Sequence, residues 1–463
     1  MDSLEKEPPN GLEWRVPMPE GAPATTRLHV AGPALPAPLG AWTLLMMLKT
    51  KGFGFADRVW KMGAEDPRKA MYGFKLGVAL TLVSLLYYVR PMYDGVGGNA
   101  VWAIMTVVLA FEYTVGGTVS KGINGTAGTM SAALLALGVH WVATKSGHRF
   151  EPVVASGSVF VLGAAAAFAR FIPTVALRFD YGVTAFILTY GYVSVSGYRV
   201  HELPVLALQR ICSYSIGILI CVAVSVLICP VWSGEQLRLL TARNMESLAA
   251  AVESCFAGPP TQAKSEGQGK NLQCVLDSKA AEDAHANLAW WEPAHGRFGF
   301  RHPYAQYAHV GAAMRRCACC LDVLGSCVGG ESQSAERVLG EACTRLGEQS
   351  ARVLREAAGC IATMTVRRSL GLAVEDLDAA VHELRAGLSA VETEALPPLF
   401  TVASSLLLIE VSARVKEVVD AVHVLATLAR FKPADDEGGD KAPSGTKVHP
   451  LRNASQGCLD MTL

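Results

Sequence analysis

Phe74-Lys75-Leu76-Gly77-Val78-Ala79-Leu80-Thr81-Leu82-Val83 opens the stretch that decides the fold, residues 74–232. Apolar runs at about 74–89, 100–118, 127–144, 153–171, 181–196 and 203–231 follow one another there, joined by short loops. Each approaches the roughly 20 residues that a helix needs to cross a bilayer, with tilt or thinning taking up the shortfall. A water-soluble core has no use for six such runs in succession. The expected fold is therefore an all-α membrane protein with six transmembrane helices and a C-terminal cytosolic helical domain.

Outward from this stretch the composition changes. The chain has 463 residues, 51% hydrophobic and 18% charged, and the apolar ones crowd into the first half. Residues 1–55 hold a proline-rich arm without periodicity and a short apolar run from Trp42 to Leu48, read as disorder followed by an amphipathic segment. The transmembrane unit spans 56–232. Residues 233–431 carry helical stripes: Leu339, Cys343, Leu346, Val353, Leu354 and Ala357 recur at three- and four-residue spacing, as do Val411, Val415, Val418, Val422 and Leu425. The Gly- and Gln-rich piece 257–272 reads as a loop, and 432–463 as a disordered polar tail. The N-terminus does not read as a cleaved signal peptide.

Lys plus Arg equals Asp plus Glu at 41 each, and no basic tract interleaves with aromatics, so nucleic acid is not an expected partner. Basic residues flanking the spans number nine on one side (Arg58, Lys61, Arg68, Lys69, Lys121, Arg170, Arg178, Arg238, Arg243) and five on the other (Arg90, Lys145, Arg149, Arg199, Arg210). That bias places both termini in the cytosol. No nucleophile elbow, P-loop, zinc-protease motif or dinucleotide fingerprint is present, which argues against an enzyme and against a cofactor. Cys317, Cys319 and Cys320 lack the spacing of a metal site.

The informative residues are the cations inside or beside the apolar runs, because a charge at the bilayer centre costs about 2.5–3.5 kcal/mol even on lenient scales. Arg210 lies among Val205, Leu206, Leu208 and Ile211; Lys75 opens the first run; Lys121, Arg170 and Arg178 gather at the inner mouth. Rings of such groups attract anions, and a single chain offers few, so a symmetric oligomer sharing one pore is implied. Trp102 and Phe186 are candidates for narrowing that pore. Glu112 is the one acid well inside the apolar half, and burial demands a Lys or Arg partner for it. Asp180 is read as the structural partner of Arg178.

Ordered motifs also carry a resemblance. Trp102-Ala103-Ile104-Met105-Thr106-Val107-Val108, Phe111-Glu112-Tyr113-Thr114-Val115-Gly116, Ser120-Lys121-Gly122-Ile123-Asn124, Arg170-Phe171-Ile172-Pro173, Cys229-Pro230-Val231-Trp232-Ser233-Gly234 and Trp291-Glu292-Pro293 resemble the plant aluminium-activated malate transporter family. The resemblance implies an anion channel: a homodimer in the lipid bilayer with a pore at the dimer interface, passing malate and also nitrate, chloride or sulfate, in the plasma membrane rather than the vacuolar membrane. It implies pore roles for Arg210, Lys75 and Arg178. Two basic positions of the family read Gly125 and Ala176 here, which implies a weaker pore field. His201 and Val205 stand where acids accompany aluminium activation, so aluminium is not expected to activate this chain. The competing reading is a proton-coupled exporter of aromatic or organic acids, with Glu112 or His140 as its titrating group.

Overall fold

The computed structural model describes Lys61, Gly63 and residues 67–88, 100–147, 149–196, 203–256, 262–299, 302–328, 336–394 and 399–434. The N-terminal arm, the polar tail beyond Ala434, Arg58, Arg90, Arg199 and His201 lie outside them.

Every long element is helical. In chain order the first half comprises α1 (Pro67–Tyr88), α2 (Ala100–Ala110), α3 (Val115–Lys145), α4 (Glu151–Ala169), α5 (Pro173–Arg178), α6 (Asp180–Ser196) and α7 (Leu203–Leu227). The second half comprises α8 (Ser233–Phe256), α9 (Gln262–Asp277), α10 (Lys279–Ala289), α11 (Tyr304–Val328), α12 (Glu336–Thr363), α13 (Arg368–Glu394) and α14 (Leu399–Leu428). By length and composition α1, α3, α4 and α7 are apolar enough to cross a membrane. The apolar α2, of 11 residues, is shorter than a full crossing, and so is α6, of 17.

The second apolar run does not continue to Thr118. Its helix stops at Ala110, and a new one starts at Val115. The sequence supplies the stop: Thr114 is an N-cap whose hydroxyl accepts from the Gly117 amide at 3.1 Å, and the Val115 amide donates to the Val231 carbonyl at 2.9 Å. Helix α3 then runs 31 residues and absorbs the Ser120–Asn124 motif, which sequence reading placed in a loop.

Glycines set how closely α3 is packed. A Cβ on Gly128 would overlap the Gly182 carbonyl and lie 3.2 Å from the Phe186 nitrogen, so the α3–α6 crossing exists only without one. Helix α4, by contrast, buries none of its residues against the chain, and Phe160 and Phe168 stand 76% and 73% exposed. An apolar surface of that extent is a surface for lipid or protein, not for water.

The second half is a helical bundle. The stripes read from the sequence are its core: Leu346, Val353, Leu354 and Ala357 on α12 meet Val411, Val415, Val418, Val422 and Leu425 on α14, together with Met245, Leu248 and Val252 on α8. The expected loop at 257–272 is helical from Gln262, because burying Leu272 and Val275 in this core outweighs the poor helix propensity of Gly267 and Gly269. Two residues of the expected tail, Lys432 and Pro433 (β2), pair in parallel with Thr365 and Val366 (β1).

The two halves meet at one carboxylate. Glu292, with its side chain fully buried, accepts from the amides of Ser233 (2.5 Å), Gly234 (3.1 Å) and Gly116 (3.2 Å). It thus caps the N-termini of α8 and α3 at once, where orphan N–H groups and helix dipoles both favour a negative charge. A Cβ at Gly116 would sit 2.9 Å from the Glu292 Cγ, so the glycine is required for the approach. Around this joint Trp232 stacks on His295 at 3.7 Å, and Phe298, Tyr304 and Tyr307 surround His302.

Replacing Glu292 by Ala would leave three buried donors unanswered at about 1–3 kcal/mol each. We expect Glu292→Ala to lower the unfolding temperature of the purified protein markedly and Glu292→Gln to lower it less; equal melting of Ala variant and wild type would contradict the clamp. Burial, and secondarily His295, push the His302 imidazole down to about 4. Stability from neutral His302 is then complete above about pH 6.5, the unfolded value, and is lost as pH falls towards 4. A pH series of melts on wild type and His302→Gln should show that component only in the wild type.

Candidate functional site

The five cations singled out from the sequence come to different ends. Lys75, 2% exposed, donates from Nζ to the Cys229 carbonyl at 2.8 Å, just beyond the C-terminal end of α7, where Cys229 turns the chain with φ 42°. Lys121 pairs with Glu112 and donates to the Leu109 carbonyl at the end of α2 at 3.2 Å. Both lysines therefore complement the negative ends of helices. Lys121 is thus the cation expected for Glu112, although the carboxylate side chain is part-exposed and not buried.

Arg170 holds Asp180 through two parallel bonds of 2.6 and 3.0 Å. Asp180 is thus the partner of Arg170, not of Arg178: the turn through α5 carries the Arg178 side chain away, and its guanidinium lies over the Trp290 ring at 5.6 Å. The Arg178 carbonyl accepts from Asn124 on α3 at 2.6 Å, and the Lys121 ammonium sits over the Tyr181 ring at 5.3 Å. Lys121, Arg170 and Arg178 are therefore gathered around the same end of the α3–α6 pair, with two of the three bound to carboxylates.

Arg210 is different. It is 4% exposed, and among the described residues nothing accepts from its Nε or Nη1. Trp102 covers the guanidinium at 4.2 Å, and Tyr192 meets Trp102 edge-on at 4.5 Å. Tyr181, Tyr192 and Tyr214 are its polar neighbours, and no carboxylate is among them. Each bare buried N–H costs free energy until an acceptor arrives. Trp102 is thus packed on the Arg210 guanidinium. Phe186 instead stacks on Tyr190 at 5.9 Å within the apolar packing of α3 and α6.

Gly125 and Ala176 also separate. Ala176 is exposed on α5. Gly125 is buried, and a Cβ there would overlap the Tyr214 hydroxyl outright and lie 2.7 Å from Cε1 of Tyr181. No side chain can grow from position 125 while Tyr214 is in place. His140 lines a small cavity with Glu151, Ser158 and Ser194, apart from Arg210.

The family model for aluminium-activated malate transporters matches residues 60–396. The chain belongs to this family. A relative named aluminum-activated malate transporter 10, from Arabidopsis thaliana, is 39% identical across 95% of this chain and 98% of its own length. Aluminum-activated malate transporter 1 of Triticum aestivum is 38% identical across 85% of this chain and 90% of its own length. The family is one of plant membrane transporters and not of enzymes.

Sequence reasoning quoted Trp291-Glu292-Pro293 as a motif and gave Glu292 no task. As a test of the site geometry, a double-mutant cycle on Glu112 and Lys121 should return a coupling of about 1 kcal/mol in thermal unfolding, with the charge-reversed pair recovering part of what each single change loses. Zero coupling would show that the pair does not form.

Proposed function

We propose that this transporter is an anion channel passing malate and other organic or inorganic anions, nitrate, chloride and sulfate among them, passively across a plant membrane. The observation that carries the reading is Arg210, a buried guanidinium with two unused nitrogens and no carboxylate beside it. A planar fork of donors suits carboxylate and nitrate alike. The names of the relatives, malate transporters, support malate as one substrate.

The arrangement needs no energy source. A potential of 100 mV, negative inside, drives a dianion outward with about 4.6 kcal/mol. Six spans, formed by α1, α2, α3, α4, α6 and α7, place both termini in the cytosol, with residues 233–431 as a cytosolic domain. A homodimer with its pore between subunits doubles the charge supply, since each copy brings its own Arg210 and Arg178. The uncovered apolar surface of α4 is available to lipid. The plasma membrane is the proposed location.

Arg210→Ala should abolish most malate current in cells expressing the protein while a fluorescent fusion still reaches the membrane, and Arg210→Lys should retain part of it. Undiminished current in Arg210→Ala would overturn the reading. Reversal at the anion's Nernst potential, insensitive to the pH gradient, separates this channel from a proton-coupled exporter using His140.

A further inference from the structure

We propose that Trp290 is a positioning residue for anion entry: it holds the Arg178 guanidinium at the cytosolic mouth with its charge unanswered, so that Arg178 captures malate there. The inference rests on the anion path and topology proposed above and adds to them an entry step and the residue that organises it.

Arg178 ends α5 and is exposed. Its backbone is tied, because the carbonyl accepts from Asn124 at 2.6 Å, but an exposed arginine side chain has many rotamers open to it. The restraint on the side chain comes from the other half of the chain. Trp290 follows the last turn of α10, and the guanidinium lies over its ring at 5.6 Å. That ring stands on a firm base. Trp291 meets it edge-on at 4.9 Å, and two residues on, Glu292 is clamped by the amides of Gly116, Ser233 and Gly234. A Cβ at Gly116 would also overlap the Leu288 carbonyl, so α10 ends hard against the start of α3. The ring itself is 61% exposed, too open to serve the core.

The kind of partner decides what each cation at this end can do. Glu112 takes Lys121, and both oxygens of Asp180 take Arg170. A carboxylate occupies the donors and cancels the charge. An indole attracts a cation through its quadrupole but brings no oxygen and no net charge, so the N–H groups stay open to a carboxylate from solution. Among the described residues no carboxylate is paired with Arg178. Trp290 thus supplies orientation without neutralisation, and a fork already held loses less freedom when an anion docks on it.

The test is the cytosolic malate concentration that gives half-maximal efflux current in inside-out patches, with a fluorescent fusion to check delivery to the membrane. Trp290→Leu should raise that concentration about two- to fivefold, the range of an exposed cation–π contact. Trp290→Phe, which keeps a π face, should raise it less. Arg178→Ala should raise it at least as much as Trp290→Leu, and the double variant no further than Arg178→Ala alone, because the ring acts through the guanidinium. Half-saturation by malate entering from the outer side should stay at the wild-type value in Trp290→Leu. An unchanged cytosolic value in surface-expressed Trp290→Leu overturns the inference. So do an equal shift from the outer side and single effects that multiply in the double variant, either of which marks Trp290 as a structural support only. Arg210→Ala, run alongside, tells the two failures apart: if it spares the current, the path reading falls, whereas if it abolishes the current and neither Trp290→Leu nor Arg178→Ala moves half-saturation, only the entry step is lost.

Discussion

Two helix N-termini converge on one carboxylate, and that convergence is the constraint on which the rest depends. Helices α3 and α8 each begin with unsatisfied amides and the positive end of a dipole, and neither start could be buried without an anion between them. Glu292 supplies it, brought there by the turn after α10. Burial pushes its carboxyl up from the ordinary range, while the three amides pull it back down, so the joint trades desolvation against hydrogen bonds. Since α3 carries Lys121, Asn124 and Gly125, the clamp that fixes its first turn also fixes the height of the residues that meet Tyr214 and the Arg178 carbonyl.

From that fixed start, small residues decide what α3 can touch. Gly128 admits the Gly182 backbone and Gly125 admits the Tyr214 ring, so α6 and α7 both close on the same helix within about two turns. Asn124 between them ties the Arg178 carbonyl. A larger residue at either glycine would push a neighbouring helix outward rather than merely crowd a side chain, because the atoms met are backbone at one and a hydrogen-bonded phenol at the other.

Much of this was legible in the sequence, for physical reasons that differ by region. The apolar runs and the stripes on α12 and α14 report burial directly, and burial is what sequence periodicity records. The need of Glu112 for a cation was legible because a lone carboxylate is too costly to leave. The break after Ala110 was not, since one acid and one threonine in an apolar run do not by themselves end a helix, and the stop is made by a cap and a contact with Val231. Gly125 was readable as an absent base. That its space belongs to Tyr214, 89 positions later, is tertiary information that no local pattern contains.

Counting basic residues therefore overstates the field an anion would meet. Lysines at helix ends and arginines in carboxylate forks have their charge answered within the protein, and an answered charge attracts a third partner only weakly. What remain are Arg178, which lies over a ring, and the buried Arg210, two of whose nitrogens meet no acceptor among the described residues. Its neighbours are aromatic, so their quadrupoles and hydroxyl dipoles hold it in place without neutralising it. An arginine buried with two nitrogens unmatched costs free energy, and the surrounding helices are pinned elsewhere, at Glu292 and at the Arg170–Asp180 fork. Stability is placed at the ends of the helices so that an unsatisfied cation can be held in the middle.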